Sequence, residues 1–176
     1  MPPAVVGVAL LGALLFSFSS VEAQAPARLQ VGLHGGFDFG EGDVEDERVG
    51  VQASIPLFWL LTANPAFSYL YNWPDDPTGF FEGSAWQGYL TVRVHPFGGD
   101  SFLGVGYGFT LAYASLRSAD GIISDSDTDA TDVGVIALSL PTGRVRPFAE
   151  LYLIDLLERR SAVGANLLFG LNLRFP

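Results

Sequence analysis

Residues 163–175 read Val-Gly-Ala-Asn-Leu-Leu-Phe-Gly-Leu-Asn-Leu-Arg-Phe. The odd positions Val163, Ala165, Leu167, Phe169, Leu171, Leu173 and Phe175 are all apolar, whereas Gly164, Asn166, Leu168, Gly170, Asn172 and Arg174, all but one of them small or polar, occupy even ones. A period of two is that of a strand with two unlike faces. The stretch therefore predicts a strand whose apolar side meets an apolar medium and whose other side is small and polar.

The same alternation recurs upstream. Leu29, Val31, Leu33, Phe37 and Phe39 alternate with Arg28, Gln30, Gly32, His34 and Asp38, and Val49, Val51, Ala53, Ile55 and Leu57 with Gly50, Gln52 and Ser54. Leu90, Val92 and Val94 alternate with Tyr89, Thr91, Arg93 and His95. In 103–113 the face opposite Leu, Val, Tyr and Phe is Gly104, Gly106, Gly108, Thr110 and Ala112. Weaker candidates at 61–71, 132–140 and 145–154 bring the expectation to eight strands of roughly 9 to 12 residues, the length of a tilted strand that crosses a bilayer. An apolar face of that length could also line a soluble barrel or sandwich. The opposite face of Gly, Asn, Gln, Thr and Arg points to the crowded polar lumen of a small membrane barrel.

Connections alternate between long and short. Those at 40–47, 72–84 and 116–131 are expected to be long acidic loops, and those at 56–60, 96–101 and 141–143 short turns, the asymmetry of outer-membrane barrels. Aromatics gather near strand ends, with Tyr69, Tyr71, Trp73, Phe80, Phe81 and Trp86 on the loop side and Phe58, Trp59, Phe97 and Phe102 on the turn side, as in interfacial girdles.

At the start of the chain, the apolar run from Ala4 to Phe16 precedes Val21-Glu22-Ala23. This is the pattern of a secretory signal peptide, so residues 1–23 are expected to be removed after Ala23 and 24–176 to form one barrel domain with both termini facing the periplasm. With 176 residues there is room for one domain. The chain has no cysteine, which excludes disulfides and thiolate chemistry. The net charge of −10 argues against a nucleic-acid partner.

Signal peptide, eight alternating segments and the ending Phe169-x-Leu171-x-Leu173-x-Phe175 together resemble the small porin-like, OmpA/OmpX-type outer-membrane barrels, although here Pro176 follows the final aromatic. The resemblance covers nearly all of 24–176 and implies an all-β, eight-stranded antiparallel up-and-down transmembrane barrel in the bacterial outer membrane. It also implies a monomer surrounded by membrane lipid and lipopolysaccharide.

Some barrels of this kind act on lipids, which makes the histidines the first residues to weigh. His34 and His95 both phase into the lumen, and neither lies in a His-x-Ser pattern that would set a base beside a nucleophile. The expectation is two hydrogen-bonded lumen histidines, no catalytic residue and no cofactor. Asp125-x-Asp127-x-Asp129 resembles the start of a calcium loop, but Ala130 and Ile136 stand where an EF-hand needs Gly and Glu. What remains is a candidate acidic loop for loose Ca²⁺ or Mg²⁺ binding. Strand phase also places Arg93, Arg146, Arg174 and, at its margin, Arg28 on the inner face near the turn end. Glu150 is the one acid phased inwards there, and its strand is three removed from that of Arg93, so the two could meet across the lumen with Glu150 as counterion; the alternative is that water or a small anion neutralises these arginines. Three functional classes follow: a non-enzymatic envelope or surface-interaction barrel, a narrow channel, and a lipid-modifying enzyme. An eight-stranded interior filled by side chains favours the first.

Overall fold

A computed structural model describes residues 28–40, 43–71, 80–98, 102–122, 124–140, 143–156 and 164–176. The expected signal peptide and the connections at 72–79 and 157–163 lie outside them. Eight strands run in chain order: β1 (Gln30–Gly40), β2 (Asp43–Phe58), β3 (Leu61–Tyr71), β4 (Phe81–Val94), β5 (Leu103–Ser118), β6 (Ser124–Ser139), β7 (Val145–Ile154) and β8 (Gly164–Arg174). Each pairs antiparallel with its neighbours, and β8 closes on β1 with Gln30 opposite Arg174 and Phe39 opposite Ala165. The chain is thus a closed eight-stranded up-and-down barrel, as the alternation predicted. Closure leaves no free edge through the body of the wall.

The two faces are inverted relative to a soluble protein. Leu33 and Phe109 are each 68% exposed, and Val51, Leu90, Ile136, Leu171 and many similar side chains also point outward. Gln30, Gln52, Asn64, Gln87, Arg93, Glu150 and Asn172 are buried inside. On the outer face Phe67, Trp86 and Tyr113 form a row across β3, β4 and β5, with ring centroids 5.7 and 5.5 Å apart, and Phe97 stacks on Phe102 at the turn end.

Strands β3 and β7 have the bounds the sequence predicted, but the expected long loops at 40–47 and 116–131 are largely strand. Strands β2, β5 and β6 each run for 16 residues. Asp43 pairs with Gly40, and Arg117 with Ser124. Polar residues on both faces look like a loop in sequence, yet a hairpin that rises above an apolar belt has water on both sides and is held by its backbone ladder alone. At the β5–β6 tip, Asp120 accepts hydrogen bonds from Ser118 Oγ (2.5 Å) and the Ile122 amide (3.0 Å), which hold its carboxyl below the usual carboxylate range. Gly121 takes the left-handed backbone there with φ 73°.

His34 on β1 is accommodated by glycine on both sides. Gly50 sits opposite it on β2 and Gly170 on β8. A Cβ at Gly170 would overlap the Leu33 carbonyl oxygen, and one at Gly50 would overlap the Phe67 carbonyl and the His34 ring. Outward-facing Gly35 is different, since a Cβ there would lie at an ordinary 3.6 Å from the Arg48 carbonyl. We expect Gly170→Ala to lower stability by about 1–3 kcal/mol and Gly35→Ala to change it little, as read by urea unfolding in detergent micelles.

Candidate functional site: the lumen and the β6 edge

The lumen is built from alternate residues of every strand. On β4 the inward series runs Ala85, Gln87, Tyr89, Thr91, Arg93 from the hairpin end to the turn end, and on β7 it runs Ile154, Tyr152, Glu150, Phe148, Arg146. Arg93 and Glu150 meet across the interior as a bidentate pair, with Nη1 donating to Oε1 at 2.5 Å and Nη2 to Oε2 at 2.8 Å. Both side chains are buried. Tyr152 accepts from Arg93 Nη2 (2.7 Å) and donates to Glu150 Oε2 (2.8 Å), while Gln52 Nε2 donates to Glu150 Oε1 (3.3 Å). The Arg93 guanidinium also lies 5.9 Å from the Tyr152 ring centre. Two parallel charge-assisted bonds with satisfied lone pairs are the arrangement in which a buried pair can offset its desolvation.

Of the other arginines phased inwards by sequence, Arg146 is buried opposite Asn172, nearer the turn end, and Arg174 is half-buried at the last residue of β8. Arg28 precedes β1 and is exposed, so it is no part of the lumen. A cavity of about 30 Å³ opens below the pair, bordered by Gln30, Gln52, Asn64, Glu150 and Asn172. It is large enough for a water molecule. Gln52 Oε1, buried and without a hydrogen-bond partner in the protein, belongs to that border.

A second charged centre, which the sequence reading did not pick out, lies nearer the hairpin end. Arg48 is fully buried and paired with Asp38. Its Nη1 donates to Gln87 Oε1 (2.8 Å) and to the Tyr89 hydroxyl (2.5 Å). With the Asn166 oxygen turned to Tyr89 and Arg48, its nitrogen donates to Asp38 Oδ1 at 2.8 Å. Tyr89 and Tyr152 touch at 4.4 Å between ring centroids and join the two centres into one plug. Continuing the β2 alternation one step ahead of Val49 would have placed Arg48 inside.

His34 Nε2 and Ser68 Oγ are 2.8 Å apart, a base beside a hydroxyl that the linear sequence does not reveal. Ser68 is wholly buried and His34 Nδ1 has no hydrogen-bond partner, so this pair has neither substrate access nor an orienting acid. His95 bonds Thr62 Oγ1 at 2.9 Å near the turn end.

Asp125, Asp127 and Asp129 do not form a loop. They occupy alternate positions of β6, where that strand rises past the end of β7. The Asp132 carbonyl accepts from the Asp155 amide, so the even residues of β6 turn their backbone groups towards β7. Above that point, among the described residues, no ladder pair joins β6 to β7, although the Thr131 hydroxyl donates to the Asp155 carboxylate. The amides of Ser126, Thr128 and Ala130 are bonded instead by Asp125, Asp127 and Asp129 Oδ1 at 2.9, 2.9 and 3.0 Å. The carboxylates thus occupy these amide donors and place charge along this side of β6. Among the described residues no three His, Asp or Glu side chains converge on a point that could hold a metal.

No protein-family model matches the sequence, and no curated protein matches it. Solved structures do match the fold. The chain is similar to the N-terminal β-barrel domain of Pseudomonas aeruginosa OprF (TM-score 0.57, 13% identity, covering 85% of this chain and 99% of that one). It is also similar to Ail, the attachment invasion locus protein of Yersinia pestis (0.56, 10%, 87% and 100%), and to neisserial surface protein A (0.52, 10%, 84% and 96%). The fold is therefore that of the small eight-stranded outer-membrane barrels.

Glu150→Gln leaves the Arg93 guanidinium buried without its counterion and is expected to cost about 3–5 kcal/mol in urea unfolding, whereas Asp127→Asn, on an exposed strand, is expected to cost under about 0.5 kcal/mol. Equal stabilities would show that the pair holds nothing together.

The edge caps have their own test. In Asp127→Ala the Thr128 amide loses its acceptor, and its hydrogen exchange should quicken by roughly two- to tenfold, the equivalent of one hydrogen bond. Asp127→Asn retains an acceptor oxygen and should exchange like the parent.

Proposed function

We propose that this protein is a non-enzymatic barrel of the bacterial outer membrane with a structural or surface-interaction role in the envelope, its lumen closed by side chains and its acidic hairpins facing outward. The observation that carries this reading is the inversion of the two faces. An outer surface of Leu, Val, Phe and Trp around a closed wall suits lipid, and a bilayer admits strands only in a closed barrel that satisfies every backbone group. The Arg93–Glu150 and Arg48–Asp38 centres, joined by Tyr89 and Tyr152, support a plug in place of a pore. The burial of Ser68 and the unpartnered Nδ1 of His34 disfavour lipid chemistry at the His34–Ser68 pair.

Membrane fractionation and planar-bilayer recording test the reading together. The protein should stay with the outer membrane through a high-salt wash and leave it with detergent, and the purified barrel should show no steady conductance. Release by salt alone would place it among soluble secreted barrels, and a steady open level would favour the narrow channel.

A further inference from the structure

Above the Arg48–Asp38 centre, at the hairpin end, the lumen widens into a cup of about 290 Å³. Its lining is mostly apolar, with Leu70, Ala112, Ala114 and Ile154 among the residues that border it, and Asp38, Gln87 and Asn166 supply its polar groups. Concave apolar walls over a few convergent polar groups are the usual make-up of a small-molecule site. The floor also has a polarity that selects a ligand. Arg48 and Asp38 form one neutral pair, yet the guanidinium is 0% exposed and the carboxylate 17% exposed. Only the anionic half can be reached from the cup.

Asp38 can take more donors. Its Oδ2 meets Arg48 and its Oδ1 accepts from Asn166, which accounts for one lone pair on each oxygen, and an ionised carboxylate has about four such sites. The chain's net charge of −10 adds a field that concentrates cations.

We propose that the cup is a binding site for a small cationic amphiphile, a primary ammonium on a compact apolar body. The ammonium donates to Asp38, and the body packs on Leu70, Ile154 and the alanine walls. Carboxylates are rejected, because they would meet Asp38 before Arg48. An alcohol of the same shape keeps the apolar contact and loses the charge-assisted bond.

Folded protein in octyl glucoside micelles, with isotope-labelled alanine, is titrated with cyclohexylammonium, cyclohexanol and cyclohexanecarboxylate while the Ala112 methyl resonance reports on the cup. We expect saturable shifts with cyclohexylammonium at a Kd about tenfold lower than with cyclohexanol, and none with the carboxylate. Asp38→Asn should reduce the ammonium to the affinity of the alcohol. Because that variant also weakens the Arg48 pair, Ala114→Phe provides a second test that fills the cup and leaves the floor alone. It should abolish binding while urea unfolding shows a folded barrel. Absence of saturable shifts, equal response to ammonium and carboxylate, or undiminished binding by Ala114→Phe would each overturn the proposal.

Discussion

The bidentate contact between Arg93 and Glu150 ties β4 to β7 across the interior of a barrel whose outside is greasy. In a soluble domain the apolar core holds the elements together and polar groups are left to water. Here the wall closes through its own ladder, and the enclosed space must satisfy guanidinium, carboxylate, amide and hydroxyl groups by themselves. One broken partnership would leave a charge in a medium that cannot solvate it. Tyr152 answers this by bonding both members of the pair, and Gln52 adds a donor to the carboxylate.

Large charged side chains fit into so narrow a lumen because one wall is kept bare. Gly104, Gly106 and Gly108 line the inner face of β5 beside the inward residues of β4. A Cβ at Gly106 would press on the Arg93 side chain, and one at Gly104 on the His95 ring. The Gly104-x-Gly106-x-Gly108 run is thus the space into which β4 lays its long side chains. Size alternates across the lumen as it does in any well-packed interior.

Legibility followed the physics of each region. Where lipid faces one side and a polar lumen the other, every second residue carries information, and β3 and β7 could be bounded to the residue. Arg93 and Glu150 were legible as candidates for the same reason, since phase and strand order allowed them to meet, while the choice between Glu150 and water or an anion as counterion needed the side-chain geometry. Arg48 was not, because it stands at the end of the run Asp43-Val44-Glu45-Asp46-Glu47, whose charge density resembles a loop. Its inward phase appears only if β2 is taken to continue through those acids. The meeting of His34 with Ser68 depends on barrel register, which alternation leaves open.

The Asp-x-Asp-x-Asp segment shows why composition misled above the belt. Acidic residues at every second position suggest a calcium loop if the backbone is assumed to be irregular. On an extended strand, the same spacing puts a carboxylate beside each amide that turns away from β5. Below Asp132 those amides are served by β7, and above it, among the described residues, it is the acids that accept from them. The change in sequence from Val133-Gly134-Val135 to Asp-rich residues therefore marks where, on the β7 side and among the described residues, ladder hydrogen bonding gives way to side-chain capping, while the β5 ladder continues. It is the rule of satisfied backbone groups that governs the wall, carried past the point where the wall is closed.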